Sequence, residues 1–195
     1  MNRKLFGEST KYGCMTDTGI QEFPFFICHQ SKRGPVIPAP VPLKQPVLWN
    51  KLTGEDYKSF SESAVYNTTF PGPAVRAKYF LLNPGKVSES ARVTLNGEYY
   101  GTLLGPDFSI VIPAGKIKKT NRLEIRVTNL AANRIAYLDR KGIEWKKFYN
   151  PNFPSRLPQN RKEGLFDASA WSARPSGMEG PVTLTPVKHM KPLVR

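Results

Sequence analysis

Polar and apolar residues alternate most regularly between Ala91 and Thr128, and that stretch predicts the central strands. In Arg92-Val93-Thr94-Leu95, and again in Arg122-Leu123-Glu124-Ile125-Arg126-Val127-Thr128, every second residue is apolar, as in a strand with one face buried and one wet. Asn96-Gly97 separates the first run from Tyr99, Tyr100 and Leu103. Both central residues of a type I′ turn need positive φ, which Asn and Gly adopt most readily, so a tight hairpin is predicted there. Phe108, Ile110 and Ile112 predict another strand, ended by Pro113-Ala114-Gly115. Ala64 to Phe70 and Ala77 to Leu82 read as strands flanking the turn Pro71-Gly72-Pro73. Gly177 and Gly180 turn the chain into a last strand, Val182 to Thr185. Antiparallel strands of this kind bury one face against a second sheet, so the fold predicted is an all-β sandwich.

Helix is predicted only as one turn within Trp49 to Tyr57, capped by Thr53 ahead of Glu55 and Asp56. Eighteen prolines and fifteen glycines among 195 residues leave no window with sustained helical periodicity and caps. That excludes an α/β barrel or a nucleotide-binding fold, and with them most enzyme classes. Residues 1–46 read as an N-terminal extension holding one edge strand, Phe23 to Ile27, and a proline-rich linker, Gly34 to Pro42. The sandwich domain is expected over residues 47–187, with a tail at 188–195. Asn129 to Arg174 reads as one long irregular segment, but its aromatics argue against disorder and predict that it packs on the sandwich.

Charge narrows the partners. The formal net charge is +14, and Lys116 to Lys162 holds thirteen Lys or Arg against three acids, so ten of the fourteen net charges lie there. Such a field attracts polyanions: nucleic acid, anionic polysaccharide or an acidic protein surface; a solvated basic exterior is the competing reading. Cys14 and Cys28 read equally as free thiols or as a pair in an exported chain. His29 and His189 lack the close spacing of a zinc site. The start, MNRKLFGEST, has basic residues without an apolar run behind them, so no signal peptide is read, and no stretch has the length of a membrane span. A cytoplasmic protein and a piece of a larger exported one both fit that.

Catalysis finds little support. Glu55, Asp56, Asp107, Asp139, Glu144, Glu163, Asp167 and Glu179 sit beside Lys or Arg or in turns, as salt-bridged or turn carboxylates do, rather than as a facing glycosidase pair. No Ser-His-Asp arrangement or phosphate loop stands out. Carbohydrate binding is better supported, because a sugar needs a flat apolar face to stack on and polar groups to fix its hydroxyls. Tyr137, Trp145, Tyr149 and Trp171 are the candidate platforms; Asn129, Asn133, Arg134 and Arg174 are the candidate hydrogen-bonding groups. Against this, each aromatic could instead bury the long segment against the sheet, and each Asn could cap local backbone.

The chain also resembles a known family: the C-terminal galactose-binding-like β-sandwich of large bacterial glycoside hydrolases, of the family 106 α-L-rhamnosidase and family 2 sugar-binding-domain type. The residues that carry the resemblance are Trp49, Phe60-Ser61-Glu62-Ser63-Ala64-Val65-Tyr66, Val87 to Gly97, Gly101-Thr102, Pro106 and Asn121 to Asn129. They continue through Ala132 to Ile135, Asp139 to Lys146, Phe166 to Trp171 and Ser176 to Val182. The match runs from about Trp49 to Val187. Where the family has Phe-Ser-Gly-Thr-Ala, this chain has Phe60-Ser61-Glu62-Ser63-Ala64. The region before Trp49 is shorter and richer in proline than in the family. The family's catalytic barrel and its carboxylates have no counterpart here. The resemblance therefore implies a jelly-roll accessory module or fragment of a rhamnosidase-like hydrolase of plant pectic glycans. Such a module binds an oligo- or polysaccharide or buttresses its parent's catalytic domain, and is secreted or periplasmic within a larger protein. The basic segment favours acidic glycans. No cofactor is expected, and a structural calcium ion is left open. The rivals are a structural domain without a ligand and a nucleic-acid binder, which charge alone suggests and no motif supports.

Overall fold

The computed structural model describes residues 40–187, apart from 147 and 149, together with the backbone of residues 25–30. The strands are β1 Phe25–Gln30, β2 Val41–Leu43, β3 Ser63–Pro71, β4 Tyr79–Asn83, β5 Lys86–Val87, β6 Ser90–Leu95 and β7 Glu98–Leu104. They continue with β8 Ile110–Pro113, β9 Thr120–Thr128, β10 Arg161–Lys162, β11 Leu165–Phe166, β12 Met178–Glu179 and β13 Thr183–Val187. Among the described residues there are two α-helices, α1 Glu55–Ser59 and α2 Ala132–Arg140. An antiparallel six-stranded sheet, β2-β1-β3-β9-β6-β7, and a three-stranded sheet, β13-β4-β8, make the all-β sandwich.

The alternation along each strand fills the core. Ala64, Tyr66 and Phe70 of β3, Ala91, Val93 and Leu95 of β6, and Leu123, Ile125 and Val127 of β9 form one buried cluster with Phe80, Leu82, Ile112 and Leu184 of the smaller sheet. The intervening Arg122 and Thr128 of β9 and Arg92 of β6 are exposed, as period two requires. Between β6 and β7 the turn is as predicted: Asn96 has φ 54° and Gly97 φ 86°, and Leu95 pairs with Glu98. Asn96 also anchors the turn, donating to Asn121 Oδ1 at 3.0 Å and accepting from Arg122 N at 3.0 Å.

The sheet closes on a contact between distant segments. Trp49 is fully buried, its backbone N–H donates to Ser176 O at 2.9 Å, and Leu48 bridges to Gly177. The Tyr66 hydroxyl donates to Val47 O at 3.0 Å and accepts from Met178 N at 3.2 Å, and burial pushes its pKa above the usual phenol value. Gly177 has φ 107°, and a Cβ there would collide with the Tyr66 hydroxyl and lie 2.9 Å from Trp49 Cε3. Only glycine fits that place.

The structure departs from the sequence reading at several points. The edge strand expected at Phe23 to Ile27 is present as β1, but it pairs with β3 on one side and with β2, from the expected linker, on the other, so residues before 47 contribute to the main sheet. Pro42 made the second segment read as linker, and an edge strand tolerates a proline. Thr53 is not a cap: Gly54 occupies the N-cap of α1 at φ 121°, with no side-chain cap bond. The strands predicted from Ala77 and Phe108 begin at Tyr79 and Ile110. Helix α2 falls inside the stretch expected to be irregular; its N-cap is Ala131 and its buried residues are Asn133 and Ala136, so neither cap nor apolar stripe announced it. The readings of Cys14, His189 and the tail at 188–195 lie outside the described residues.

Glu62, where the related family has glycine, keeps a glycine-like backbone at φ 141° while its carbonyl accepts from Asn129 N at 2.8 Å. Residues with side chains rarely adopt that conformation, at a cost of about 1–3 kcal/mol. Glu62→Gly removes this strain against an entropic cost of about 0.5–1 kcal/mol, so a net gain of about 1 kcal/mol is expected as a higher midpoint in urea denaturation. Gly97→Val has the opposite sign. A Cβ there meets nothing within 4 Å, so the loss is conformational and amounts to about 1–3 kcal/mol by the same measurement.

Candidate functional site

The segment after β9 is held by side-chain hydrogen bonds more than by strands. Asn133 on α2 is buried; its Nδ2 donates to Arg174 O at 2.8 Å and to Ser176 Oγ at 2.9 Å, and its Oδ1 accepts from Arg174 N at 2.8 Å. It stitches α2 to the irregular segment leading into Gly177, with its polar atoms turned inward, rather than forming a surface site for a sugar. Asn129 donates to Ser176 Oγ and to Pro175 O, the latter at 3.4 Å. The Arg174 side chain is exposed.

Six residues further along α2, Asp139 is a second anchor. Its Oδ1 accepts from Trp145 Nε1 at 2.7 Å and from Lys146 Nζ at 2.8 Å, and its Oδ2 accepts from Ala168 N at 2.8 Å. The Asp139 and Lys146 side chains are only 4% and 9% exposed, so this is a buried ion pair, completed by Lys146 Nζ donating to Phe166 O at 2.7 Å. Excellent geometry of this kind offsets the desolvation cost, and removing one partner leaves a buried charge.

The predicted aromatics divide accordingly. Trp171 packs edge-on against Phe166 with centroids 5.8 Å apart and donates to Asn160 Oδ1 at 2.8 Å, so it serves the packing of the segment. Tyr137 is half-buried, with Arg134 Cζ 5.1 Å and Lys141 Nζ 5.7 Å from its ring centre. Tyr149 lies outside the described residues. Trp145 is 36% exposed; the bond to Asp139 fixes its indole, and Lys146 Nζ lies over the ring at 5.3 Å. It also lines a cavity.

That cavity is a groove of about 400 Å³, walled by residues 142–146 on one side and by the β10–β11 hairpin and Asp167 on the other. Ile143 and Leu165 give it apolar walls, and Glu144, Lys162, Glu163 and Asp167 give it polar ones. The hairpin turns at Glu163 (φ 52°) and Gly164 (φ 80°), two positive values again, which Glu163 hid from a search for Asn-Gly. The Asp167 carboxyl is held below the usual carboxylate range, first by the Ser169 hydroxyl and also by the charges of Lys146 and Lys162. No group of three or more His, Cys, Asp or Glu among the described residues is placed to share a metal ion, and no described helix is long and apolar enough to cross a membrane.

No known protein-family profile matches the chain. A Formosa agariphila protein described as a candidate beta-glucuronidase is 34% identical over 90 residues, which are 45% of this chain and 8% of that protein. Among solved structures, the rhamnosidase from Novosphingobium sp. PP1Y matches 94% of this chain at 26% identity, with a TM-score of 0.64. This is a β-sandwich domain of the glycoside-hydrolase type. The domain spans 16% of that rhamnosidase chain. The β-galacturonidase from Eisenbergiella tayi, solved bound to galacturonate, is more distant, at 18% identity over 56% of this chain and 19% of its own with a TM-score of 0.43.

The buried pair makes a direct prediction. Lys146→Met strips Asp139 of its countercharge and should cost about 3–5 kcal/mol in urea denaturation. Trp145 emission should shift to the red as the indole is released.

Proposed function

We propose that this domain is the accessory module of an α-L-rhamnosidase-like glycoside hydrolase acting on plant pectic glycans, and that it contacts the glycan in the groove beside Trp145. The observation that carries the reading is the match to a rhamnosidase over 94% of this chain but only 16% of that one, which is the relation of one module to a multidomain enzyme. The partner implied is the catalytic domain of the parent protein, and the setting implied is periplasmic or extracellular.

Trp145 supplies the flat apolar face that a sugar ring stacks on, already locked in place by Asp139, so little side-chain entropy is lost on binding. The exposed carboxylates of Glu144 and Glu163 accept from sugar hydroxyls. A second reading, a buttress without a ligand of its own, is favoured by the inward turn of Asn133 and by the packing role of Trp171.

Calorimetric titration with a panel of pectic oligosaccharides separates the two. Trp145→Ala should weaken binding at least tenfold while Trp171→Phe, which keeps the ring, leaves affinity unchanged; each variant is used only where its denaturation curve shows it folded at the titration temperature. A panel that gives no heat and no shift in melting temperature selects the buttress.

A further inference from the structure

We infer that the Trp145 groove, on the reading just given, selects uncharged sugar units and discriminates against uronates, the opposite of what the basic composition of this segment suggests. The reason is where the charges lie. Of the thirteen cations between Lys116 and Lys162, only Lys146 and Lys162 line the groove among the described residues. Lys146 is buried and consumed by Asp139 and by Phe166 O. What faces the groove is therefore three carboxylates, Glu144, Glu163 and Asp167, against one ammonium, Lys162.

Asp167 strengthens the asymmetry, since the Ser169 hydroxyl and backbone N–H both donate to it and favour its charged form. A uronate carboxylate entering this groove meets like charge on both walls, and the potential of the groove as a whole repels it. A neutral sugar meets complementary chemistry. Its hydroxyls donate to acceptor-only carboxylates, one ring face stacks on the indole, and an apolar edge such as a methyl or an esterified carboxyl rests against Ile143 and Leu165, which are 46% and 45% exposed. The basic excess outside the groove acts more weakly on the bound sugar at physiological salt, where charges more than about 8 Å apart are largely screened.

The test compares one backbone in two charge states: trigalacturonate and its fully methyl-esterified form, titrated by calorimetry at pH 7 and about 0.15 M salt, alongside a neutral rhamnose trisaccharide. The ester is expected to bind at least tenfold more tightly than the free acid. Raising the salt to 0.5 M should narrow that ratio, and Glu144→Gln with Glu163→Gln should abolish most of it; both glutamates are on the surface, so the variant is expected to fold. Free acid binding as tightly as its ester, or a ratio untouched by the double variant, overturns the inference and leaves the accessory-module reading standing. If neither the esters nor the neutral trisaccharide bind, the glycan-contact reading falls and takes this one with it.

Discussion

The sandwich depends on the absence of a side chain at Gly177. Trp49 and the Tyr66 hydroxyl occupy the space that a Cβ there would fill, and the backbone on either side of the glycine bonds to both the 47–50 segment and β5. Tyr66 lies in the central strand β3, so the contact fixes the middle of the large sheet to the segment that leads into β13, the edge strand of the small one. A larger residue would push a tryptophan and a buried, hydrogen-bonded phenol apart together. The signature Ser176-Gly177-Met178 follows from this: Ser176 accepts from the Asn129 and Asn133 side chains and from Trp49 N and donates its own N–H to Asn50 Oδ1, Gly177 gives room, and Met178 N donates to the tyrosine.

From that closure the long segment inherits its order. Asn133 ties α2 to Arg174 and Ser176, and Asp139, one face further along the same helix, ties it to Trp145, Lys146 and Ala168. Polar side chains here do what a strand ladder does elsewhere, satisfying the backbone of an irregular chain so that it can pack. The consequence for binding is a division of labour. Side chains suited by type to hold a sugar are spent on architecture, and Trp145, held by Asp139 yet a third exposed, is the part of that architecture that meets solvent in a groove.

Much of the sheet was legible because burial on one face writes a period of two into β6 and β9, and because Asn96-Gly97 is a turn whose residues reveal its dihedrals. The sandwich and its kinship with glycoside hydrolases were legible for the same reason, through an ordered set of turns and strands. Helix α2 was not, since its inward face is anchored by an asparagine and its first turn has no capping side chain. Nor was β2, where proline masks an edge strand, while β1 was legible as a strand but not as an inner one. The groove was half legible: Trp145 stood out as an aromatic, but the roles of Asp139 and Lys146 depend on their meeting in space, and counting charges along the chain hid that more carboxylates than ammoniums line the folded groove. Glu62 shows the converse, a sequence departure that changed the residue and left the backbone conformation in place.

The closing contact also sets an order of events during synthesis. β3, β6 and β9 can pair as soon as Thr128 has left the ribosome, because their ladders need nothing further along the chain. Trp49 and the inward end of Tyr66 stay wet until Gly177 emerges and the last strand docks. In that interval the nascent chain offers an apolar mouth with no lid, the kind of half-built intermediate on which chaperones act and from which aggregation starts. The length of the segment between Thr128 and Gly177 is therefore a delay as well as a connection, and its own internal bonds are what keep it compact while the mouth waits to be shut.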